Sequence, residues 1–187
     1  MNRTLALPSR RILVAIIITL SCVTLIGAQE RERLVDWQQV IPGSDATALE
    51  IVDITINGKS VTPGHPFTAG EDWLDTLKFR VRNVSGKTIS CFAFGVAFPE
   101  IDLNGGSTAM LSIPYNIDSK RNNSDEQKPI LADEEVNVKL PPDQLGMLRQ
   151  VSTQRIGTTH LTRVNILPGL VNFADGSRLG GISLRRP

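Results

Sequence analysis

From Leu49 onward, apolar side chains return at every second position in short runs, and few folds accept that pattern. Val52, Ile54 and Ile56 alternate with Asp53, Thr55 and Asn57, the signature of a strand with one face against a core. Leu77, Phe79 and Val81 alternate with Lys78, Arg80 and Arg82, with Trp73 in the phase of the apolar set. Phe92, Phe94, Val96 and Phe98 then form one face of a run whose other face is Ile89, Cys91, Ala93 and Ala97. Large apolar residues on one side and small ones on the other predict a central strand covered on both faces. Residues 109–113 form a shorter apolar run, and Val136, Val138 and Leu140 alternate with Asn137 and Lys139. Near the C-terminus, Val164 and Ile166 precede Pro168-Gly169, Val171 and Phe173 follow it, and Leu179, Ile182 and Leu184 return after Asp175-Gly176.

The punctuation between these runs is turn chemistry. Asn57-Gly58 and Asp175-Gly176 supply the left-handed conformations of tight hairpins. Residues 61–70, with Pro63-Gly64 and Pro66, read as a loop or edge segment, and Asn83-Val84-Ser85-Gly86-Lys87 as a turn. Residues 115–129, where Asp118, Asp125 and Glu126 balance Lys120, Arg121 and Lys128, read as a solvated loop. One helix is expected: Pro141-Pro142-Asp143 opens it, Leu145, Leu148 and Val151 give it an apolar stripe, and Gly157 ends it. Gly146 inside it costs about 1 kcal/mol against alanine. Short strands closely spaced by turns, with one late helix, predict an all-β fold: an immunoglobulin-like, two-sheet antiparallel sandwich with one short inserted helix, preceded by a signal helix.

The chain begins with Arg3, Arg10 and Arg11 and no acid, followed by an apolar run from Ile12 and then Gly27-Ala28-Gln29. That is the layout of a secretory signal peptide over 1–28. Its apolar part, 12–28, also reaches the lower limit of about 17 residues for a bilayer span. A retained N-terminal membrane anchor is the alternative, with membrane contact through 12–28 alone. Cys22 would suit a lipoprotein, but Thr19-Leu20-Ser21 before it makes a poor lipobox. Residues 29–47, polar at first and ending in Pro42-Gly43-Ser44-Asp45, read as a polar linker with at most a helical turn around Leu34, Val35 and Trp37. The β domain is assigned to 48–187. Location is thus expected to be extracytoplasmic, periplasmic or secreted, or membrane-anchored if the N-terminal segment is retained.

Loss of the leader leaves seventeen bases and nineteen acids, a net charge of −2, with no basic excess to collect nucleic-acid phosphates. Cys91 is then the one cysteine, expected to be buried as a small hydrophobe in mid-strand, with a dimerising or reactive thiol as the sharper reading.

The hairpin Asn83-Val84-Ser85-Gly86-Lys87-Thr88-Ile89, followed by a phenylalanine-rich strand, resembles a motif of exported bacterial β-sandwich proteins. The ending Val171-Asn172-Phe173-Ala174-Asp175-Gly176-Ser177 resembles their closing hairpin, although Leu179 stands where many of them have tryptophan. The likeness covers roughly 49–187 and implies fold and export; the family has no assigned function, so no site residue follows from it.

Chemistry-bearing motifs are sparse. His65 sits in a proline-glycine turn and His160 opens a strand, without the company a zinc site or catalytic base needs. Gly105-Gly106-Ser107 lacks the second glycine of a nucleophile elbow and reads as a loop. Glu71, Asp72, Asp75, Glu100 and Asp102 lie near strand ends, where glycosidase carboxylates would face each other across a cleft. Glu100, Asp102 and Asn104 at alternate positions before Gly105 could offer oxygens to calcium, but the rest of a calcium loop is absent. Asn83-Val84-Ser85 and Asn122-Asn123-Ser124 fit both a glycosylation acceptor and an ordinary turn.

No catalytic, cofactor or metal residue is therefore assigned. The expected function is a non-enzymatic interaction or structural module of the cell envelope, partnered by another envelope or extracellular protein through loops 61–73, 100–108 or 115–129. The alternative is an exported hydrolase acting on an envelope polymer through clustered carboxylates.

Overall fold

The structure, a computed structural model, describes residues 30–37, 48–103, 105–117 and 128–180. The expected leader, most of the expected linker, Asn104, the 122–124 acceptor and the final run with Ile182 and Leu184 lie outside these residues.

The alternating runs become strands in two sheets. One sheet has the order β4-β1-β9-β6-β7, from β1 (Arg31–Trp37), β4 (Phe67–Ala69), β6 (Ile89–Asp102), β7 (Thr108–Tyr115) and β9 (Arg163–Phe173), with β10 (Arg178–Gly180) also beside β9. The other has the order β3-β2-β5-β8, from β2 (Leu49–Ile56), β3 (Lys59–Ser60), β5 (Lys78–Asn83) and β8 (Glu135–Lys139). Among the described residues two helices accompany them, the short α1 (Trp73–Thr76) and α2 (Pro142–Ile156). The protein is mostly β, with a single core between the sheets.

That core is anchored by the large face of β6. Phe92, Phe94, Val96 and Phe98 are all buried, and Phe94 meets Phe79 of the other sheet edge-on with ring centroids 5.3 Å apart. Phe92 stacks on Tyr115 of β7 at 5.1 Å. Each buried phenylalanine contributes roughly 1.5–3 kcal/mol of transfer free energy, so this strip dominates the local energetics.

The turn chemistry acts as expected at both hairpins. Asn57 (φ 53°) and Gly58 (φ 74°) close the β2–β3 hairpin on the Ile56–Lys59 pair, and Gly176 (φ 83°) turns β9 into β10. Helix α2 starts with Pro142 in its first turn and stops at Gly157 in the left-handed conformation, burying Leu145, Leu148 and Ser152.

Four expectations need correction. Residues 31–37 are not a tether: β1 pairs in parallel with β9 and antiparallel with β4, turning Arg33 and Val35 inward. The pairing of β1 with β9 also means that the sheets are not wholly antiparallel. A parallel neighbour needs a long connection, which the span between β1 and β9 supplies. Trp73 belongs to α1 rather than to the β5 strand, yet it is fully buried, as its apolar phase required. Ile89 joins the phenylalanine face, because a register shift between Ile89 and Cys91 changes the alternation there.

The outer face of β6 is covered, but by its neighbours' side chains. A methyl group added at Gly95 would meet Met110 Sδ at 2.9 Å and Leu167 Cβ at 3.2 Å, so these two residues lean over a strand of small residues.

Pro168-Gly169, which separates two alternating runs in the sequence, lies inside one continuous β9. Leu167 pairs with Gly95 and Leu170 with Ala93, so two residues of β9 oppose Phe94 alone, a bulge. Here glycine is a steric requirement: a Cβ at Gly169 would lie 1.7 Å from the Ala93 carbonyl oxygen. Gly169→Ala is therefore expected to cost about 1–3 kcal/mol or more in urea unfolding, as overpacked sites do. Gly146→Ala, where an added Cβ meets nothing within 4 Å, should instead stabilise α2 by up to about 1 kcal/mol. Equal effects from the two substitutions would refute the bulge.

Candidate functional site

One gathering of ionisable and polar groups joins β1, α1, the end of β6 and the approach to β9. Strand β1 brings Arg33, the segment before α1 brings Gly70 and Glu71, α1 brings Trp73, the end of β6 brings Glu100, and the approach to β9 brings 160–163. Arg33 is 1 % exposed; its Nη1 donates to the Leu161 carbonyl at 2.6 Å and its Nη2 to the Gly70 carbonyl at 3.4 Å. Trp73 Nε1 donates to the same Leu161 oxygen at 2.9 Å. Glu100 accepts the Thr162 amide on both carboxylate oxygens at 2.9 Å, and the Thr162 hydroxyl as well. His160 Nε2 stands 3.3 Å from Glu71 Oε1, and Asp36 of β1 pairs with Arg163 at 3.2 Å.

The electrostatics follow from burial. Desolvation, with Arg31 nearby, pulls the Arg33 pKa below its ordinary value, while Glu100 and Glu71 pull it back up. An arginine starts so high that it keeps its charge, and backbone carbonyls together with two nearby carboxylates hold that charge. Glu100 is filled by donors from one short segment. The Thr162 hydroxyl donates to a carboxylate, whereas an activated nucleophile is held by a base that a third group orients. The chemistry this arrangement supports is clamping: it fixes the backbone at 161–163 against β1 and β6.

The remaining sequence candidates are dispersed. His65 Nδ1 lies 3.4 Å from the Pro63 carbonyl in an exposed turn. Asp75 bonds Arg149 of α2, and Asp102 Oδ1 accepts the Gly106 amide at 3.2 Å across its own loop. Glu100 and Asp102 thus serve different partners, and the third calcium candidate, Asn104, is outside the described residues. Cys91 is half-buried on the outer face of β6, with Asn172 Nδ2 donating to its sulfur at 3.1 Å. Among the described residues, no group of three or more histidine, cysteine or acidic side chains is placed to hold a metal ion. A cleft of about 160 Å³ beside β2 and β3 is lined by Ile51, Asp53, Ser60, Thr62 and Pro63 among others. Its single carboxylate, Asp53, faces Arg80 at 3.7 Å.

The hairpins at 83–89 and 171–177 meet at a second cluster. Asn83 is fully buried, and its Nδ2 donates to the carbonyls of Lys87, Ile130 and Leu131 at 2.7–3.0 Å. Its Oδ1 accepts from the Ser85 amide and hydroxyl. With its amide so engaged, Asn83 is the hub of a turn and not an open glycosylation acceptor. Lys87 Nζ reaches across to Asp175 Oδ2 at 2.8 Å and Ser177 Oγ at 3.2 Å, tying the first hairpin to the last. The Lys87 hydrogen bond, followed by those from Ser177, holds the Asp175 carboxyl well below the usual carboxylate range.

Sequence reasoning missed Arg33, which sits in a run of alternating charges, and it marked Asn83 as a turn residue without its partners at 130 and 131, which are remote in the chain. Compared with protein-family models, with curated proteins and with solved structures, the chain matches none.

Leu161 O has two donors, which yields a test by double-mutant cycle. Arg33→Met or Trp73→Phe alone leaves that carbonyl one partner; together they orphan it. The double variant should therefore lose about 1–3 kcal/mol more than the two single losses added. Strict additivity in urea unfolding would remove the shared-carbonyl clamp.

Asp175 gives a pH test. Its folded pKa is depressed, so its contribution is present above the unfolded value of about 3.9 and disappears as pH falls through the folded value. Thermal midpoints of the parent and of Asp175→Asn should differ at neutral pH and converge on acidification below about pH 4. A constant difference over that range would contradict the assignment.

Proposed function

We propose that the chain is an exported, non-enzymatic interaction or structural module of the bacterial envelope or exterior, carried on an immunoglobulin-like sandwich. In this reading 1–28 direct export, as a cleaved signal peptide or as a retained anchor, and the β domain then works in an extracytoplasmic compartment. Its partner is another envelope or extracellular protein.

The observation that carries the reading is the direction in which the converging polar groups point. Arg33, Trp73 and Glu100, which a hydrolase would aim at a substrate, are hydrogen-bonded to backbone and hydroxyl groups of residues 161–162. A glycosidase instead keeps two carboxyl groups facing each other across a sugar. The export half of the reading is supported by the arginines before the apolar run of 12–28.

The test has two measurements. Intact mass of the protein recovered from the extracytoplasmic fraction is expected to show loss of residues 1–28, or full length with membrane association. The purified protein, incubated with its own envelope polymer, is expected to release no soluble fragments. Release that stops on Glu71→Gln or Glu100→Gln would overturn the module reading in favour of the hydrolase.

A further inference from the structure

On the outer surface of the β3-β2-β5-β8 sheet, both arginines have acids beside them. Arg80 lies 3.7 Å from both Asp53 and Glu135, and Arg82 bonds Glu135 and lies 3.5 Å from Glu50. The row at one end of the sheet breaks this rule. Lys78 is directly opposite Lys139, and the row continues through Thr55 to Ser60. Both lysines are exposed, and neither has an acidic partner within ion-pair distance among the described residues. The hydroxyls of Thr55 and Ser60 likewise have no side-chain hydrogen bond there.

Like charges placed directly across a strand pair destabilise a sheet, and among the described residues no acid lies within ion-pair distance of this pair to offset the cost. Four side chains in one line, two cationic and two hydroxyl, are all able to donate. With strands about 4.8 Å apart, they span about 14 Å. The row therefore has the chemistry of an anion contact.

We propose that Ser60, Thr55, Lys78 and Lys139 form a docking row for an acidic segment of a partner protein, an inference that rests on the interaction-module reading. Two features favour a carboxylate-bearing peptide over a phosphate polymer. The free cations are lysines, whereas planar two-point capture of phosphate favours arginine, and both arginines of this face are already paired. Asp53 lies in the next row and Glu50 and Glu135 in the row beyond it, and these acids repel a densely charged polyanion more than a peptide whose same-side carboxylates are about 6.8 Å apart.

The experiment is a titration of the ¹⁵N-labelled protein at low salt with octaglutamate, with octaglutamine and with inorganic polyphosphate. Octaglutamate is expected to shift the amide signals around residues 55, 60, 78 and 139, and the shifts should shrink as salt rises above about 0.1 M. Lys78→Gln with Lys139→Gln should weaken binding roughly tenfold or more. Lys139→Glu should abolish it while raising the thermal midpoint, which shows that the variant is folded. No shifts, shifts centred elsewhere, equal shifts with octaglutamine, or shifts with polyphosphate alone would each overturn the proposal. Those results would leave the module reading intact, because that reading fails by release of polymer fragments.

Discussion

The contact on which the rest of the molecule depends is the packing of the phenylalanine face of β6 against the second sheet. Strand β6 is 14 residues long and pairs with β9 on one side and β7 on the other. Phe94 reaches Phe79, so the longest strand of one sheet is joined to a central strand of the other. Aromatic pairs in edge-to-face geometry add about 0.5–1.5 kcal/mol beyond the area they bury, and they also fix the spacing of the sheets. Once β6 is placed, β9 must follow its register, and β1 must follow β9. The position of Arg33, and with it the cluster around 160–163, is a consequence of that order.

Burying an arginine is costly unless its donors find acceptors. Arg33 meets this condition in part: Nη1 and Nη2 reach two carbonyls from segments far apart in the chain, at 161 and 70, while the buried Nε has no hydrogen-bond partner among the described residues. The same contacts lock the two loops against β1. Strand β1 has short pairings, three residues with β4 and four with β9. A buried guanidinium and Val35 beneath those pairings explain how so brief a ladder holds an otherwise polar segment in place.

What was legible in the sequence was whatever is encoded locally. Alternation identified the runs that became β2, β5, β6, β8 and β9, a short apolar run marked β7, and Asn57-Gly58, Asp175-Gly176 and Gly157 marked turns and a helix end as the structure has them. What was not legible depends on partners distant in the chain. Arg33 reads as solvated until the carbonyls of 70 and 161 are beside it. Pro168-Gly169 has turn composition, and only the close approach of the Ala93 backbone turns it into a bulge. Ile89 has the wrong parity by counting, and the register shift in β6 corrects it. Glu100 and His160 were visible as residue types, but their partners, Thr162 and Glu71, follow from where the strands end.

The two solvent faces of the sheets solve the problem of exposure in different ways. On the β9-β6-β7 side, Cys91, Ala93, Gly95 and Ala97 point outward without charge, and Met110 and Leu167 fold over the gap at Gly95. That surface is shielded from within the sheet by dispersion contacts. On the β2-β5-β8 side, shielding comes from cross-strand ion pairs, each worth little on an exposed surface but together setting which charges face which. The Arg80 and Arg82 rows obey that pattern, and a sheet built for stability alone would extend it to the next row. The step from Arg80 to Lys78 reverses it, placing two cations opposite each other two residues from a row with acids at hand. Departures from local consistency are expected at functional positions, and the proposed docking row rests on this one, on an open face apart from the polar cluster around 160–163.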